Sequence, residues 1–201
     1  MRSTFNFIIK PKDKATNSTI DIDGKKLILN TEMQNHQYVS RNAVVVGTPI
    51  EIPTDVKEGD EVIVHHNVFR TFYDIRGDIK NSRSYLNGKE YLAQVDQVYL
   101  YKRKDKWKAV KGFCFVHPIK NTDIFSLEKE EPLKGVMVYP DRDLENNGIK
   151  EGSLVGFRPS SEYEFIIDGQ RLYRVPTNSI TIKYEYQGTE EKYNPSWLQS
   201  S

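Results

Sequence analysis

The sequence lacks several features that would have pointed to a class of protein. It has a single cysteine, Cys114, so no disulfide can form within the chain. No apolar run is long enough to span a bilayer, and residues 1–5 lack the apolar stretch of a secretory signal. These absences predict a cytoplasmic protein that does not enter a membrane.

An excess of charge of one sign is missing too. The 29 Lys and Arg residues balance 28 Asp and Glu residues, which leaves a net charge of +1. No global field therefore attracts nucleic acid or an anionic membrane. The chain also has no Gly-rich loop of the Walker or dinucleotide-binding type, so we predict no bound nucleotide and no other cofactor.

Sustained helical periodicity is absent, whereas strand patterns are frequent. The apolar runs are short, rich in Val, Ile, Tyr and Phe, and bounded by Gly, Pro, Asn and Asp. This pattern predicts an all-β protein.

Residue types used in catalysis or metal binding are few. His65 and His66 are adjacent in a predicted strand, where neighbours point to opposite faces, so they should not share a metal. Cys114 and His117 could form a nucleophile and base, but the context Phe113-Cys114-Phe115 is typical of a buried structural thiol. We therefore predict no catalytic residues, no metal site and no enzymatic activity.

The chain contains an internal repeat. Residues Val56–Val64 return as Ile149–Phe157, each with an apolar residue, Lys-Glu-Gly, a small polar residue and a strand-like run. Three flanking segments recur in the same order: Ile9–Pro11 as Val116–Pro118, Ala43–Val46 as Val136–Tyr139, and Gly88–Leu92 as Gly169–Tyr173. The repeat predicts two copies of one small β domain.

We place the first domain at 1–103, the second at 104–186 and a flexible tail at 187–201. The charged run Lys102–Lys108 is interpreted as a solvated linker between the two domains. The copies differ most in a long loop at 16–40, which has no equivalent in the second copy. Extra length on a shared scaffold is where function tends to reside.

That loop carries an aliphatic triplet, Leu27-Ile28-Leu29, after an Asp23-Gly24 pair. Asp-Gly is a strong signal for a type I′ hairpin turn. One interpretation is an ordered hairpin packed on its own domain. The other is an arm that offers the triplet to an apolar groove on a partner.

The segments of the first copy follow one another in an order that can be compared with known families. The order comprises a strand ending in a basic residue, the loop with its triplet, and the runs Asn42–Gly47, Val56–Val64, Tyr91–Leu92 and Val98–Leu100. Over most of the first copy, this order resembles the small co-chaperonin (GroES-like) family. The resemblance implies two tandem GroES-like, partly open β-barrels.

The resemblance also implies roles for particular residues. Leu27, Ile28 and Leu29 would bind the apical domain of a chaperonin, and Gly59 and Asp60 would form a turn of the barrel. Several subunits would associate into a ring that caps an ATP-bound (GroEL-like) chaperonin ring and assists protein folding.

Two segments suggest a divergent member of that family. His65–Arg70 and the excursion Tyr73–Tyr85 are similar to co-chaperonin-like proteins of phages, which would work in the host cytoplasm. The segment Thr48–Asp55 is too short for a long roof hairpin, so a cap with an open top is expected. The second copy, which lacks the loop, should repeat the barrel without a binding arm.

Two other functions remain open. The basic run Lys102–Lys108, with Trp107, Tyr99 and Tyr101, could bind single-stranded nucleic acid through a β-barrel, although the balanced charge argues against it. A structural phage or scaffold protein without a chaperonin partner is the second alternative.

Overall fold

The computed structural model describes residues 2–12, 19–22, 25–28, 41–123, 127–185, 190, 192–193 and 195, with the backbone alone in 19–22 and 25–28. The chain divides into two compact units, Met1–Lys106 and Trp107–Ser201. Almost all regular structure is strand, so the predicted all-β class is confirmed. Within the described residues, no helix has the length and apolar character that a membrane crossing requires.

The strands of the first unit are short and antiparallel. They are β1 (Phe7–Pro11), β2 (Thr19–Ile22), β3 (Lys25–Ile28), β4 (Asn42–Gly47), β5 (Glu61–Val64), β6 (Thr71–Tyr73), β7 (Ile79–Asn81), β8 (Tyr85–Asn87), β9 (Glu90–Ala93) and β10 (Val98–Arg103). The main sheet has the order β8-β9-β1-β4-β5-β10, and β11 (Lys106–Ala109) begins at the boundary of the units. Two hairpins, β2–β3 and β6–β7, form separate two-stranded sheets.

The second unit contains one six-stranded antiparallel sheet. Its elements are β12 (Phe113–Lys120), β13 (Glu130–Tyr139), α1 (Arg142–Asn146), β14 (Leu154–Phe157), β15 (Tyr163–Ile167), β16 (Gln170–Pro176) and β17 (Ile180–Tyr184). Its core includes Cys114, Val116, Met137, Val155 and Phe157.

The two units share one topology. The second sheet has the order β15-β16-β12-β13-β14-β17, which repeats β8-β9-β1-β4-β5-β10 strand for strand. The sequence repeat therefore corresponds to a repeated arrangement of strands. Neither large sheet closes into a barrel within the described residues, so the GroES-like barrels stay a prediction.

The Lys-Glu-Gly turns have the same geometry in both units. Gly59 and Gly152 have φ of +88° and +84°, a region that favours glycine. Their N–H groups donate to the carbonyls of Val45 and Met137, each at 2.8 Å. The repeat thus preserves a backbone conformation as well as a sequence.

A polar side chain closes each turn in the same way. Asp60 Oδ2 accepts a hydrogen bond from the N–H of Lys57 at 2.8 Å, and Ser153 Oγ accepts from the N–H of Lys150 at 3.0 Å. The small polar residue after each Lys-Glu-Gly is therefore needed to satisfy a backbone donor.

The structure corrects the alignment of two pairs of strands. Tyr91 lies opposite Ile9 and Tyr173 lies opposite Val116, so Tyr91 corresponds to Tyr173, whereas the sequence repeat pairs Leu92 with Tyr173.

Since Gly59 bonds to Val45 and Gly152 bonds to Met137, Val45 corresponds to Met137. The sequence repeat pairs Ala43 with Val136, which is one residue out of register. A run of uniformly apolar residues contains no alternation from which register could be read.

The boundary of the two units falls within Lys102–Lys108, as predicted, and its charged residues from Lys104 onward are exposed, but the run is regular strand and turn rather than an irregular linker. This run forms the end of β10 and the start of β11, with Lys104 and Asp105 at positive φ between them. Trp107 is buried, and its Nε1–H donates to Asp168 Oδ2 at 2.9 Å. Positive φ at both central residues is what a tight two-residue hairpin turn requires.

Part of the segment predicted as a flexible tail is paired. Lys192 forms an antiparallel bridge with Ile119, and the N–H of Tyr193 donates to the carbonyl of Pro118 at 2.9 Å. The tail therefore meets β12 at these two residues. Most of the rest of 187–201 lies outside the described residues.

Candidate partner-binding surfaces

The long segment of the first unit starts and ends at neighbouring strands. β1 and β4 are paired as far as Pro11 opposite Ala43, and the N–H of Lys12 donates to the carbonyl of Asn42 at 3.0 Å. Lys12 Nζ also lies 2.8 Å from Glu61 Oε1 on β5. The segment between Lys12 and Asn42, called the arm below, therefore leaves and rejoins the sheet at one fixed base.

Two strands of the arm form a hairpin. Ile22 lies opposite Lys25, so two residues connect β2 and β3, as the Asp-Gly pair predicts. Of the predicted chaperonin-binding triplet, Leu27 and Ile28 are on β3, whereas Leu29 lies outside the described residues, as does most of the loop at 16–40.

The second unit has a short turn at the corresponding place. β12 and β13 remain paired as far as Lys120 opposite Glu130, and the N–H of Asn121 donates to the carbonyl of Lys129 at 3.0 Å. This closes a loop of which Leu127 is fully exposed. The long arm is therefore a feature of the first unit.

The turn at Gly59 and Asp60, which the resemblance predicts to belong to the barrel, is held in place by contacts of Asp60 with Arg103. Asp60 is only 7% exposed. Arg103 donates from Nε to Asp60 Oδ1 at 3.1 Å and from a terminal nitrogen to Asp60 Oδ2 and to the carbonyl of Asp55. The hydrogen bond to Asp60 raises the pKa of Arg103. These contacts tie the start of β5 to the end of β10.

The expectation that His65 and His66 point to opposite faces is wrong. His65 caps a short 3-10 helix at His66–Val68, and its Nδ1 accepts from the N–H of Asn67 at 3.0 Å. The two imidazole rings stack, with 4.2 Å between centroids. In the part of the chain that the structure describes, no group of three or more His, Cys, Asp or Glu side chains is placed to hold a metal.

Cys114 is the buried thiol that its sequence context predicts. Its Sγ lies 3.4 Å from the carbonyl of Val175, and burial raises the pKa of the thiol. A protonated, inaccessible thiol is a poor nucleophile. His117 is buried as well, and its Nδ1 lies 2.9 Å from the carbonyl oxygen of Pro118. Neither group is placed to react with a substrate.

Sequence reasoning missed a polar cluster in the second unit. Arg171 donates to Glu164 at 2.7 Å, to Glu130 at 2.6 Å and to the hydroxyl of Tyr173. That hydroxyl donates to Glu130 at 2.6 Å, and burial, followed by this hydrogen bond, raises the pKa of Tyr173. The cluster joins β13 to β15 and β16. Residues so far apart in sequence give no local signal of the contact.

An exposed apolar surface lies in the excursion between β5 and β9. Exposed large apolar side chains there are Phe72, Tyr73, Ile75, Ile79, Tyr85 and Leu86. Ser82 Oγ fixes the base of the excursion by donating to the carbonyl of Val68 at 2.6 Å. The second unit has only a short connection between β14 and β15, so this surface also belongs to the first unit. Apolar groups concentrated in one exposed element indicate a contact surface.

The aromatic residues considered for stacking on nucleic-acid bases are buried. Tyr99, Tyr101 and Trp107 are each less than a tenth exposed. A base can stack only on an aromatic face that solvent can reach. The basic run therefore has no aromatic platform among these residues.

No family model matches the sequence, and no curated protein matches it. The resemblance to small co-chaperonins therefore depends on the order and character of the segments of this chain.

Proposed function

We propose that this protein is a co-chaperonin, a GroES-like protein that caps a chaperonin ring in its ATP state and assists protein folding. The arm with Leu27, Ile28 and Leu29 would enter an apolar groove on the chaperonin. The observation that carries the proposal is the fixed base of this arm at Lys12 and Asn42. An apolar hairpin on a rigid sheet is suited to docking in a groove of a partner.

The energetics fit reversible capping. One aliphatic triplet contributes at most a few kcal/mol of apolar burial, and ordering the arm offsets part of it. A ring of subunits presents several arms at once, so many weak contacts add up to firm binding. Each contact alone stays weak enough to release when the chaperonin changes state.

Co-sedimentation with a purified chaperonin tests the proposal. The wild-type protein should sediment with the chaperonin when ATP is present and remain in the supernatant without it. A variant with Leu27→Ser, Ile28→Ser and Leu29→Ser should lose this binding because the apolar ligand is gone.

The matched control is Leu127→Ser, which removes an exposed leucine from the short loop of the second unit. It should bind as the wild type does. Absence of wild-type binding, or equal binding by the triple variant, would contradict the proposal.

A scaffold protein without a chaperonin partner is the second candidate, because β2 and β3 are already paired in the chain by itself. Hydrogen exchange of residues 19–28 in the free protein distinguishes the two functions. Strong protection would favour a permanently packed hairpin and a scaffold role, whereas rapid exchange that slows on adding chaperonin and ATP would favour the arm.

A further inference from the structure

The β6–β7 hairpin has a well-defined turn. The N–H of Asp74 donates to the carbonyl of Asp78 at 2.9 Å. Asp74 Oδ1 accepts from the N–H groups of Arg76 and Asp78 at 2.8 and 3.0 Å. These bonds fix the register in which Tyr73 lies opposite Ile79 and Phe72 lies opposite Lys80.

This register determines which backbone groups of β7 face outward. Hydrogen-bonded and non-hydrogen-bonded pairs alternate along an antiparallel ladder. Because Asp74 and Asp78 are bonded to each other, the next pair, Tyr73 and Ile79, is non-hydrogen-bonded. The N–H and C=O of Ile79 therefore point away from β6. Among the described residues, no strand pairs with this edge of β7.

The two faces of the hairpin differ in character. Tyr73 and Ile79 share one face, and both are exposed. The opposite face carries Phe72 together with charge, since Lys80, opposite Phe72, has its Nζ 3.5 Å from Asp74 Oδ2 and 4.0 Å from Asp78 Oδ2. All three residues of β7 are exposed. An isolated two-stranded hairpin is marginally stable in water, and further strands would stabilise it.

We propose that the outer edge of β7 pairs with the same edge of a second copy of this chain, around a two-fold axis at Ile79. The short run Asp78-Ile79-Lys80 is complementary to itself when antiparallel. Asp78 of each copy then lies opposite Lys80 of the other, and the two Ile79 residues exchange N–H to C=O bonds. The Tyr73 and Ile79 side chains of both copies form one apolar stripe.

This contact differs in symmetry from the one that builds a ring. A ring forms through head-to-tail contacts, whereas the β7 pairing is two-fold and joins two copies, or two rings, through one identical surface. The proposal therefore goes beyond the capping function. Its test needs no chaperonin, so failure of one proposal is distinguishable from failure of the other.

Charge exchange at two positions tests the pairing. Asp78→Lys places a new lysine opposite Lys80 of the other copy, and Lys80→Asp places a new aspartate opposite Asp78 of the other copy. Each variant alone should dimerise about tenfold more weakly or worse, because two attractive pairs become repulsive. In sedimentation velocity, the mass of the assembled species should be halved.

An equal mixture of the two variants should recover the wild-type mass, because lysines of one copy then meet aspartates of the other. This recovery also shows that both variants are folded. Wild-type mass in each variant alone would overturn the proposal, as would no recovery in the mixture or a wild-type protein without the two-fold association.

A backbone variant provides a second test. Ile79→Pro removes an N–H that the hairpin itself does not use, so the hairpin should form while the edge pairing is lost. An unchanged far-UV circular dichroism spectrum verifies that Ile79→Pro is folded. Halved mass is then expected for this variant. Unchanged mass for Ile79→Pro would overturn the proposal.

Discussion

At the scale of single residues, the buried imidazole of His117 makes the second unit sensitive to acid. Burial lowers the pKa of His117, and the nearby positive charges of Lys192 and Arg171 lower it further, whereas the backbone hydrogen bond at Pro118 raises it. The neutral form is therefore favoured in the folded state. The unfolded chain binds the proton more readily, so stability is present above the ordinary histidine pKa of about 6.5 and is lost as the pH falls below it.

We expect the free energy of unfolding to decrease on acidification more in the wild type than in His117→Gln, which cannot be protonated. Urea unfolding followed on both sides of the histidine pKa measures this difference. The same pH dependence in both proteins would show that His117 is not responsible.

The two repeated glycines give a second prediction at this scale. Gly59 and Gly152 have positive φ, and no atom lies within 4 Å of where a Cβ would be. Replacing either by alanine should therefore strain the backbone without a steric clash and cost about 1 kcal/mol. Chemical denaturation of Gly59→Ala and Gly152→Ala should show similar losses. Glu58→Ala, next to the turn glycine, is the control and should show almost none.

At the scale of elements, the short helix α1 depends on one buried side chain. Asp141 Oδ1 accepts from the N–H of Leu144 at 2.9 Å and caps the helix. Its Oδ2 accepts from the N–H of Gly112 at 2.9 Å and from the hydroxyl of Thr177 at 2.8 Å. A single carboxylate thus joins the helix, the residue before β12 and the 3-10 turn at Thr177–Ser179.

Asp141→Ala should destabilise the protein by about 3 kcal/mol, because it leaves three donors without their acceptor. Thr177→Val removes only one of these bonds and should cost about 1 kcal/mol. Urea unfolding of the two variants gives the comparison. Equal losses would indicate that the helix cap and the Gly112 contact contribute little.

Local sequence patterns predicted many of the strands, one hairpin connection and the burial of one side chain. The strands follow from short β-branched runs, the β2–β3 connection from Asp-Gly, and the burial of Cys114 from its aromatic neighbours. Features that depend on tertiary contacts were not predictable: the 3-10 helix after His65, the burial of Trp107 against Asp168, and the Arg171 cluster. These three features depend on contacts with residues distant in sequence or on backbone hydrogen bonds, and a local sequence pattern does not show either of them.

At the scale of the whole molecule, both units have the same arrangement of strands, and the first unit carries two additional segments. Both units keep the same strand order and the same Lys-Glu-Gly turn. In the part of the chain that the structure describes, only the first unit has the arm between β1 and β4 and the hairpin β6–β7. The internal repeat made these additions visible in the sequence, because the second unit shows what the scaffold looks like without them. Additions on a preserved scaffold are where binding is expected.

The most direct test of the central claim is chaperonin-assisted refolding of a client protein that does not refold by itself. The chaperonin, ATP and the wild-type protein together should restore the activity of the client, and the variant with serine in place of Leu27, Ile28 and Leu29 should not. A co-chaperonin known to work with that chaperonin is the positive control. If that control restores activity and the wild-type protein does not, the account of this chain as a co-chaperonin is contradicted.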